Sequence, residues 1–308
     1  MNIITTYVNP DLDGFASVFA YLEFMQKFGT DAKIYIEGNQ NLETQYLVSK
    51  LAIDISGISA RGITIMDKVH LVDTSHVFAI SRSISLDQVI EIVDHHVVND
   101  ADKFANAQKQ IEPVGAAATL ITEKYSQRNL KPSLSSAVLL YCAIASNTLR
   151  FKASVTDDKD IRMAKYIESI FPHVSDYVEG AFQAKSDLSG EKLEQSLMND
   201  LSKYNFAGKS VGVFQLEVYN GRDVINNRLQ EVLAIIKKVK DEKLYDYVFL
   251  TCIDLQNFCN VFVAIDEESI ALVSKTLNVN FIGGVAERNG YIMRKEIMPS
   301  LKVSLEVS

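Results

Sequence analysis

Tryptophan is absent from the 308 residues, which decides nothing, but the other shortages exclude a good deal. Five prolines and 14 glycines are too few for a collagen-like or low-complexity chain. With 47% hydrophobic and 23% charged residues, the composition is that of a globular protein with a substantial core. No internal repeat is present. The amino-terminal run from Met1 to Val8 has no basic stretch followed by an apolar one, and no apolar run elsewhere is long enough to cross a bilayer. A cytoplasmic location without membrane attachment is therefore expected. The three cysteines, Cys142, Cys252 and Cys259, sit inside apolar runs without metal-type spacing and read as small buried hydrophobes. Positive charge is also in short supply. A net charge of −8 argues against a general nucleic-acid surface, because backbone binding needs a basic stripe to release counterions. Small phosphates stay open as ligands, since bound metal ions reverse the local sign of a cleft lined by carboxylates.

What is present is a two-part pattern. Short β-like runs alternate with helical ones through the first half: a strand over Ile3–Val8, a helix from about Gly14, then strands over Ala32–Glu37, Ile63–Asp67 with Val69–Val72, and Val89–Val93. That rhythm predicts an α/β fold with a parallel sheet and crossover helices. Leu134–Ala145 is nearly all apolar, a buried helix or a buried strand. The polar break Ser186-Asp187-Leu188-Ser189-Gly190 sets a domain boundary, giving expected domains 1–187 and 191–308. The second reads as a smaller α/β domain: a helix near Glu191–Leu201, a strand at Ser210–Val218, a long helix near Asp223–Lys243, and strands at Tyr247–Asp254 and Asn260–Ile265. A short helix at Glu267–Leu277 and a closing hairpin around Asn289-Gly290 complete it.

Chemistry-bearing residues recur where the runs end. Asn9-Pro10-Asp11-Leu12-Asp13-Gly14 follows the first strand and, alone, is an ordinary strand-to-helix turn. Val69–Val72 then ends at Asp73, Val89–Val93 at Asp94-His95-His96, and Leu139–Ala145 at Ser146-Asn147. In an open parallel sheet the carboxyl ends of the strands share one edge, where such folds bind ligands. Four carboxylates and two imidazoles gathered there would repel one another and lose hydration, so they call for cations. Mixed oxygen and imidazole donors suit Mn²⁺, Mg²⁺ or Co²⁺ better than a thiolate-type zinc site.

These residues resemble the DHH phosphoesterase superfamily: Asn9-Pro10-Asp11-Leu12-Asp13, Leu71-Val72-Asp73 and Val93-Asp94-His95-His96 stand in the same order. Glu112-Pro113-Val114-Gly115, Ser146-Asn147-Thr148-Leu149-Arg150-Phe151-Lys152, Ala184-Lys185-Ser186-Asp187 and Arg294-Lys295 extend the likeness to family II, manganese-dependent inorganic pyrophosphatases. It covers nearly the whole chain, including a second domain of the DHHA2 type. The resemblance implies an active site in the cleft between a DHH domain and a smaller DHHA2 domain. It also implies that Asp11, Asp13, Asp73 and His95 are metal ligands, with Asp73 bridging two ions and Asn147 at a further ligand position. His96 would face substrate phosphate, and Lys203, Arg294 and Lys295 would clamp it from the second domain. A homodimer through the first domain is implied as well.

Three departures bear on the substrate. Tyr7 stands where the pyrophosphatases have a metal-binding histidine, and a neutral phenol is a poor replacement, so that metal position is expected to be weakened or all-oxygen. Asn147 replaces an aspartate, and Thr74-Ser75 replace a His-Asn pair. The expected activity is hydrolysis of diphosphate to two phosphates by a metal-activated water, with Mn²⁺ as cofactor. Two alternatives stay open: an exopolyphosphatase or other DHH phosphoesterase preferring Mg²⁺, and a non-catalytic phosphate-binding relative. Among the other histidines, His70, His76 and His173 have no companion ligand at helix or strand spacing. His76 reaches the site only if its loop folds back.

Overall fold

The structure is a computed structural model that describes residues 1–58, 62–97 and 99–306. The chain divides into two compact units, Met1–Ala184 and Lys185–Ser308.

The first unit is built on five strands, β1 (Asn2–Thr5), β2 (Ala32–Ile34), β3 (Lys68–Val72), β4 (Val89–Asp94) and β5 (Gln108–Ile111). They pair in the order β2-β1-β3-β4-β5, all parallel. The chain builds outward from β1 to β2, then crosses back to lay β3 on the other side of β1. That reversal makes the carboxyl edge between β1 and β3 the switch point at which such sheets bind ligands. The helices of this unit are α1 (Leu12–Gln26), α2 (Leu42–Lys50), α3 (Ala117–Gln127), α4 (Leu134–Asn147), α5 (Asp158–Ile170) and α6 (Asp176–Lys185), the last ending just past the unit boundary. The apolar run at Leu134–Ala145 resolves as α4. It is apolar all round because α1, α3 and α5 pack against it, so that it is buried from Ser136 to Ser146.

Two differences from the expected strands have local causes. Ile63–Asp67 is not a strand: Asp67 Oδ2 accepts from both the N–H and the hydroxyl of Thr64, at 2.8 and 2.9 Å, closing a turn before β3 begins at Lys68. β5, Gln-Lys-Gln-Ile, escapes a hydrophobicity reading because it is a polar edge strand.

The second unit holds α7 (Lys192–Asp200), β6 (Ser202–Phe206), β7 (Lys209–Val218), α8 (Gly221–Lys243), β8 (Tyr247–Asp254), β9 (Cys259–Ala264), α9 (Glu267–Leu277), β10 (Val285–Asn289) and α10 (Arg294–Glu306). Its sheet runs β10-β9-β8-β7-β6, with only the β7–β8 pair parallel. Both faces are covered. Along β7, Val211 and Val213 join one buried cluster with Phe249 and Phe262, while Phe214, Leu216 and Val218 join the other with Ile225 and Ile236. Burial on both faces explains why β8 and β9 are largely apolar without alternation. No hairpin closes the chain at Asn289-Gly290. β10 pairs back onto β9, Gly290 takes a left-handed φ of 79° with its N–H on the Phe258 carbonyl, and α10 follows. Pro299 inside α10 conceals that helix from a sequence reading. Among the described residues, no helix is long and apolar enough to cross a membrane.

Candidate metal centre and active site

The loops leaving β1, β3 and β4 deliver Asp11, Asp13, Asp73, His95 and His96 to one edge of the first unit's sheet. Asp11 caps α1, its Oδ1 accepting the N–H groups of Asp13 at 2.8 Å and Gly14 at 3.1 Å. Asp13, fully buried in the first turn of α1, accepts the N–H of Ala117 at 2.7 Å and of Ala118 at 2.8 Å. These are unpaired donors at the start of α3, whose cap position, Ala116, has no side chain able to satisfy them. A carboxylate so placed is worth about 1–2 kcal/mol to the helix and is fixed in orientation by it.

Asp73 leaves β3 with a left-handed φ of 59°, a conformation unusual for a non-glycine residue and characteristic of constrained sites. Its N–H donates to the Val93 carbonyl at 2.8 Å, and its Oδ1 is buried. His95 Nε2 stands 3.2 Å from that oxygen and 3.7 Å from Asp13 Oδ2. The other ring nitrogen, Nδ1, lies 3.0 Å from the Val114 carbonyl, an acceptor only, so Nδ1 carries the hydrogen and Nε2 is the nitrogen aimed at the carboxylates. Asp94 holds the turn: its Oδ1 accepts the N–H groups of His95 at 2.8 Å and His96 at 3.2 Å, and His96 Nδ1 at 2.7 Å. Its Oδ2 accepts the Ser75 hydroxyl. Asp94 therefore positions the two imidazoles and leaves His96 Nε2 pointing outward.

Electrostatics follow from this crowding. Burial, reinforced by the Asp13 carboxylate, drives Asp73 well above the usual carboxylate range. Burial also pushes Asp13 up to about 6 against the opposing pull of His95. Burial alone would lower His95, but the Asp73 and Asp13 carboxylates outweigh it and raise the imidazole to about 10. Asp94 goes the other way, because hydrogen bonds from His96 and Ser75 overcome its burial. The cluster demands positive charge, and in its absence holds protons.

The donor set fits a hard divalent cation. Single ligand atoms of Asp73, His95 and His96 lie within 4.8 Å of one another, and the buried Asp73 Oδ1, beside the His95 imidazole, is an acceptor a cation would satisfy. The departures are equally plain. The Tyr7 hydroxyl oxygen accepts the Asp11 N–H at 3.0 Å, and burial with the nearby Asp11 and Asp73 carboxylates raises its phenol far above the ordinary value, so it stays neutral. Asn147 Nδ2 donates to Asp13 Oδ2 at 2.9 Å. It arrives from the end of helix α4, not from a strand end, and is followed by three successive left-handed residues, Leu149, Arg150 and Phe151.

Lys203, Arg294 and Lys295 belong to the second unit. Lys203 is an exposed residue of β6 whose ammonium lies 5.9 Å from the Tyr245 ring centre. Arg294 opens α10, donating from Nη1 to the Asp200 carbonyl at 2.6 Å and from Nη2 to Asp200 Oδ1 at 2.9 Å, while Lys295 is exposed. Sequence reasoning missed the Val114 carbonyl, the α3 amides, Asp160 and Asp200 as supporting groups, and singled out Ser75 only as a departure from the family pattern. The Glu112-Pro113-Val114-Gly115 block signalled the Val114 segment.

Residues 2–145 match the model of the DHH family, N-terminal domain, and residues 181–303 match that of the DHHA2 domain. Over 301 residues, 97% of each chain, the protein is 29% identical to the manganese-dependent inorganic pyrophosphatase of Bacillus subtilis (strain 168). A Bacillus licheniformis protein named a probable manganese-dependent inorganic pyrophosphatase is 28% identical over 306 residues, 99% of this chain and 98% of its own. Among solved structures, one from Methanococcus jannaschii, named for the family II inorganic pyrophosphatases, superposes with a TM-score of 0.68 at 24% identity. It covers 99% of this chain and 100% of its own, and so shares the fold. The chain thus carries a DHH family N-terminal domain over residues 2–145 followed by a DHHA2 domain over residues 181–303.

Proposed function

We propose that the chain is a metal-dependent phosphohydrolase that splits inorganic diphosphate into two phosphates. The observation that carries this reading is the convergence of the buried Asp73 Oδ1 and His95 Nε2, 3.2 Å apart, with the other nitrogen of that imidazole held by the Val114 carbonyl. The relatives named as manganese-dependent inorganic pyrophosphatases, matched end to end, support the substrate and the metal.

In this reading Asp11, Asp13, Asp73 and His95 would hold the Mn²⁺, with Asn147 at a further ligand position. Bound there, divalent cations make a water acidic enough to attack phosphorus and neutralise charge on the transferring phosphoryl group. Asp94 keeps His96 Nδ1 occupied, so Nε2 is the atom offered to a phosphate oxygen. Arg294 offers planar, two-pronged donors to phosphate, and Lys203 and Lys295 offer point charges. A homodimer through the first unit is part of this reading. Sedimentation equilibrium reports it.

Tyr7 and Asn147 favour a second reading, in which the site prefers Mg²⁺ and a longer phosphoanhydride, or binds phosphate without turnover. Phosphate release from diphosphate, short polyphosphate and a nucleoside bisphosphate, each with Mn²⁺, Co²⁺ and Mg²⁺, separates these. Fastest release from diphosphate with Mn²⁺ is expected. Release only from polyphosphate selects the alternative substrate, and bound metal with no release from any of them overturns hydrolysis.

A further inference from the structure

The mouth of the first unit's site carries a third imidazole. The His76 ring centre lies 5.9 Å from that of His96, edge-on at 66°, and the His96 centre lies 4.5 Å from that of His95. The His95 side chain is 15% exposed, and those of His96 and His76 are more open at 43% and 38%. The loop after β3 has folded back onto the loop after β4.

His76 is held there from both sides. Ser75 donates its hydroxyl to Asp94, and its carbonyl accepts the Asp100 N–H at 3.1 Å. The His76 N–H lies 3.3 Å from Thr74 Oγ1, and the Val77 N–H donates to Asp100 Oδ2 at 3.1 Å. The same Asp100 oxygen stands 3.8 Å from His76 Nδ1, while Lys103 pairs with Oδ1 at 2.8 Å. Asp100 thus joins the two loops and faces one side of the His76 ring, leaving Nε2 as the nitrogen turned away.

We propose that His76 is a further substrate-contact residue, offering Nε2 to a phosphate oxygen beside the one that His96 engages, with Asp100 as its positioning residue. This rests on the reading of His96 as facing substrate phosphate. It adds a contact that a short two-phosphate ligand shares between two imidazoles, and so bears on which phosphoanhydride fits.

The test uses the full chain loaded with Mg²⁺ and inorganic phosphate as the probe, followed by calorimetry and by the imidazole NMR signals of labelled histidine. His76→Asn is expected to weaken phosphate binding about tenfold, the loss of one charge-assisted hydrogen bond, with Mg²⁺ binding unchanged. Asp100→Asn is expected to weaken it less, and to reduce the movement of the His76 signal on phosphate addition. His76→Gln serves as the second variant should Asn disturb the loop. Unchanged phosphate affinity in both His76 variants, with affinity lost in His96→Asn, overturns the role of His76 and leaves the site reading standing. Unchanged affinity in His96→Asn as well overturns both.

Discussion

Asn147 donates an amide hydrogen to Oδ2 of Asp13 at 2.9 Å, the same oxygen that accepts the Ala117 N–H. Asp13 therefore has a neutral donor where a second carboxylate would have repelled it, and the metal-free cluster is relieved of one charge. Replacing Asn147 by Asp should reverse the balance. Without metal, Asn147→Asp loses the donor and adds repulsion, lowering stability by about 1–2 kcal/mol. Combined with Tyr7→His, it should raise Mn²⁺ affinity by about tenfold or more. Thermal melts with and without Mn²⁺ read both effects. Unchanged metal affinity in the double variant would show that neither position touches the ion.

The protonation of His95 gives a pH signature with a definite sign. Its folded-state value of about 10 lies above its ordinary 6.5, so its pairing with Asp73 and Asp13 stabilises the metal-free protein fully below about 6.5. That stabilisation is lost as pH rises through about 10. Metal-free protein should therefore weaken between these limits, and His95→Gln should flatten that slope. A cation at Nε2 must displace the proton, so loading the protein with Mn²⁺ at pH 8 should release at least about one proton per protein molecule into a weakly buffered solution. No acidification would remove His95 from the ligand set.

Asp11, Asp13, Asp73 and Asp94-His95-His96 were legible because strand-to-loop transitions leave a compositional mark, and parallel topology gathers those transitions at one edge. Asn147 was legible as a residue but not as geometry: an apolar run hides whether it is helix or strand, and only burial on all sides of α4 made it a helix. The supports were silent for a different reason. The α3 amides and the Val114 carbonyl are backbone groups that any sequence would carry, and Asp160 and Asp200 look like ordinary helix-terminal acids. The polar edge strand β5 gave no periodicity to read.

Asp160 shows how much such a support carries. Fully buried, it accepts the Gly115 and Asp157 N–H groups at 2.8 Å each and the Thr119 hydroxyl at 2.5 Å, fixing the loop whose Val114 carbonyl orients His95. Asp160→Ala strands those donors and should cost about 2–4 kcal/mol, with metal affinity falling in step, as chemical denaturation and metal titration would show. Gly115→Ala should resemble it, because an added Cβ would sit 2.5 Å from Thr148 Cγ2 and 2.8 Å from Asp160 Oδ2. Wild-type metal binding in either variant would mean that the His95 orientation does not depend on this loop.

The second unit offers the matching test for substrate. Asp200 is raised above its ordinary range by burial, with Arg294 opposing the shift, and it takes two donors of that guanidinium. Gln215 Oε1 accepts the Arg294 N–H at 2.7 Å and fixes where the side chain starts. If Arg294 clamps phosphate, Asp200→Ala should raise KM for diphosphate by about tenfold, because the guanidinium must then be ordered at the moment of binding, while kcat falls less. Asp200→Asn keeps an oxygen acceptor at Oδ1 and should recover part of the loss. Arg294→Lys keeps the charge but not the fork, and should be the worse of the two. Steady-state kinetics on the three variants, set beside their melting temperatures, separates positioning from stability: a KM that tracks only the melting temperature would make the Asp200–Arg294 pair a brace for α7 and α10 and nothing more.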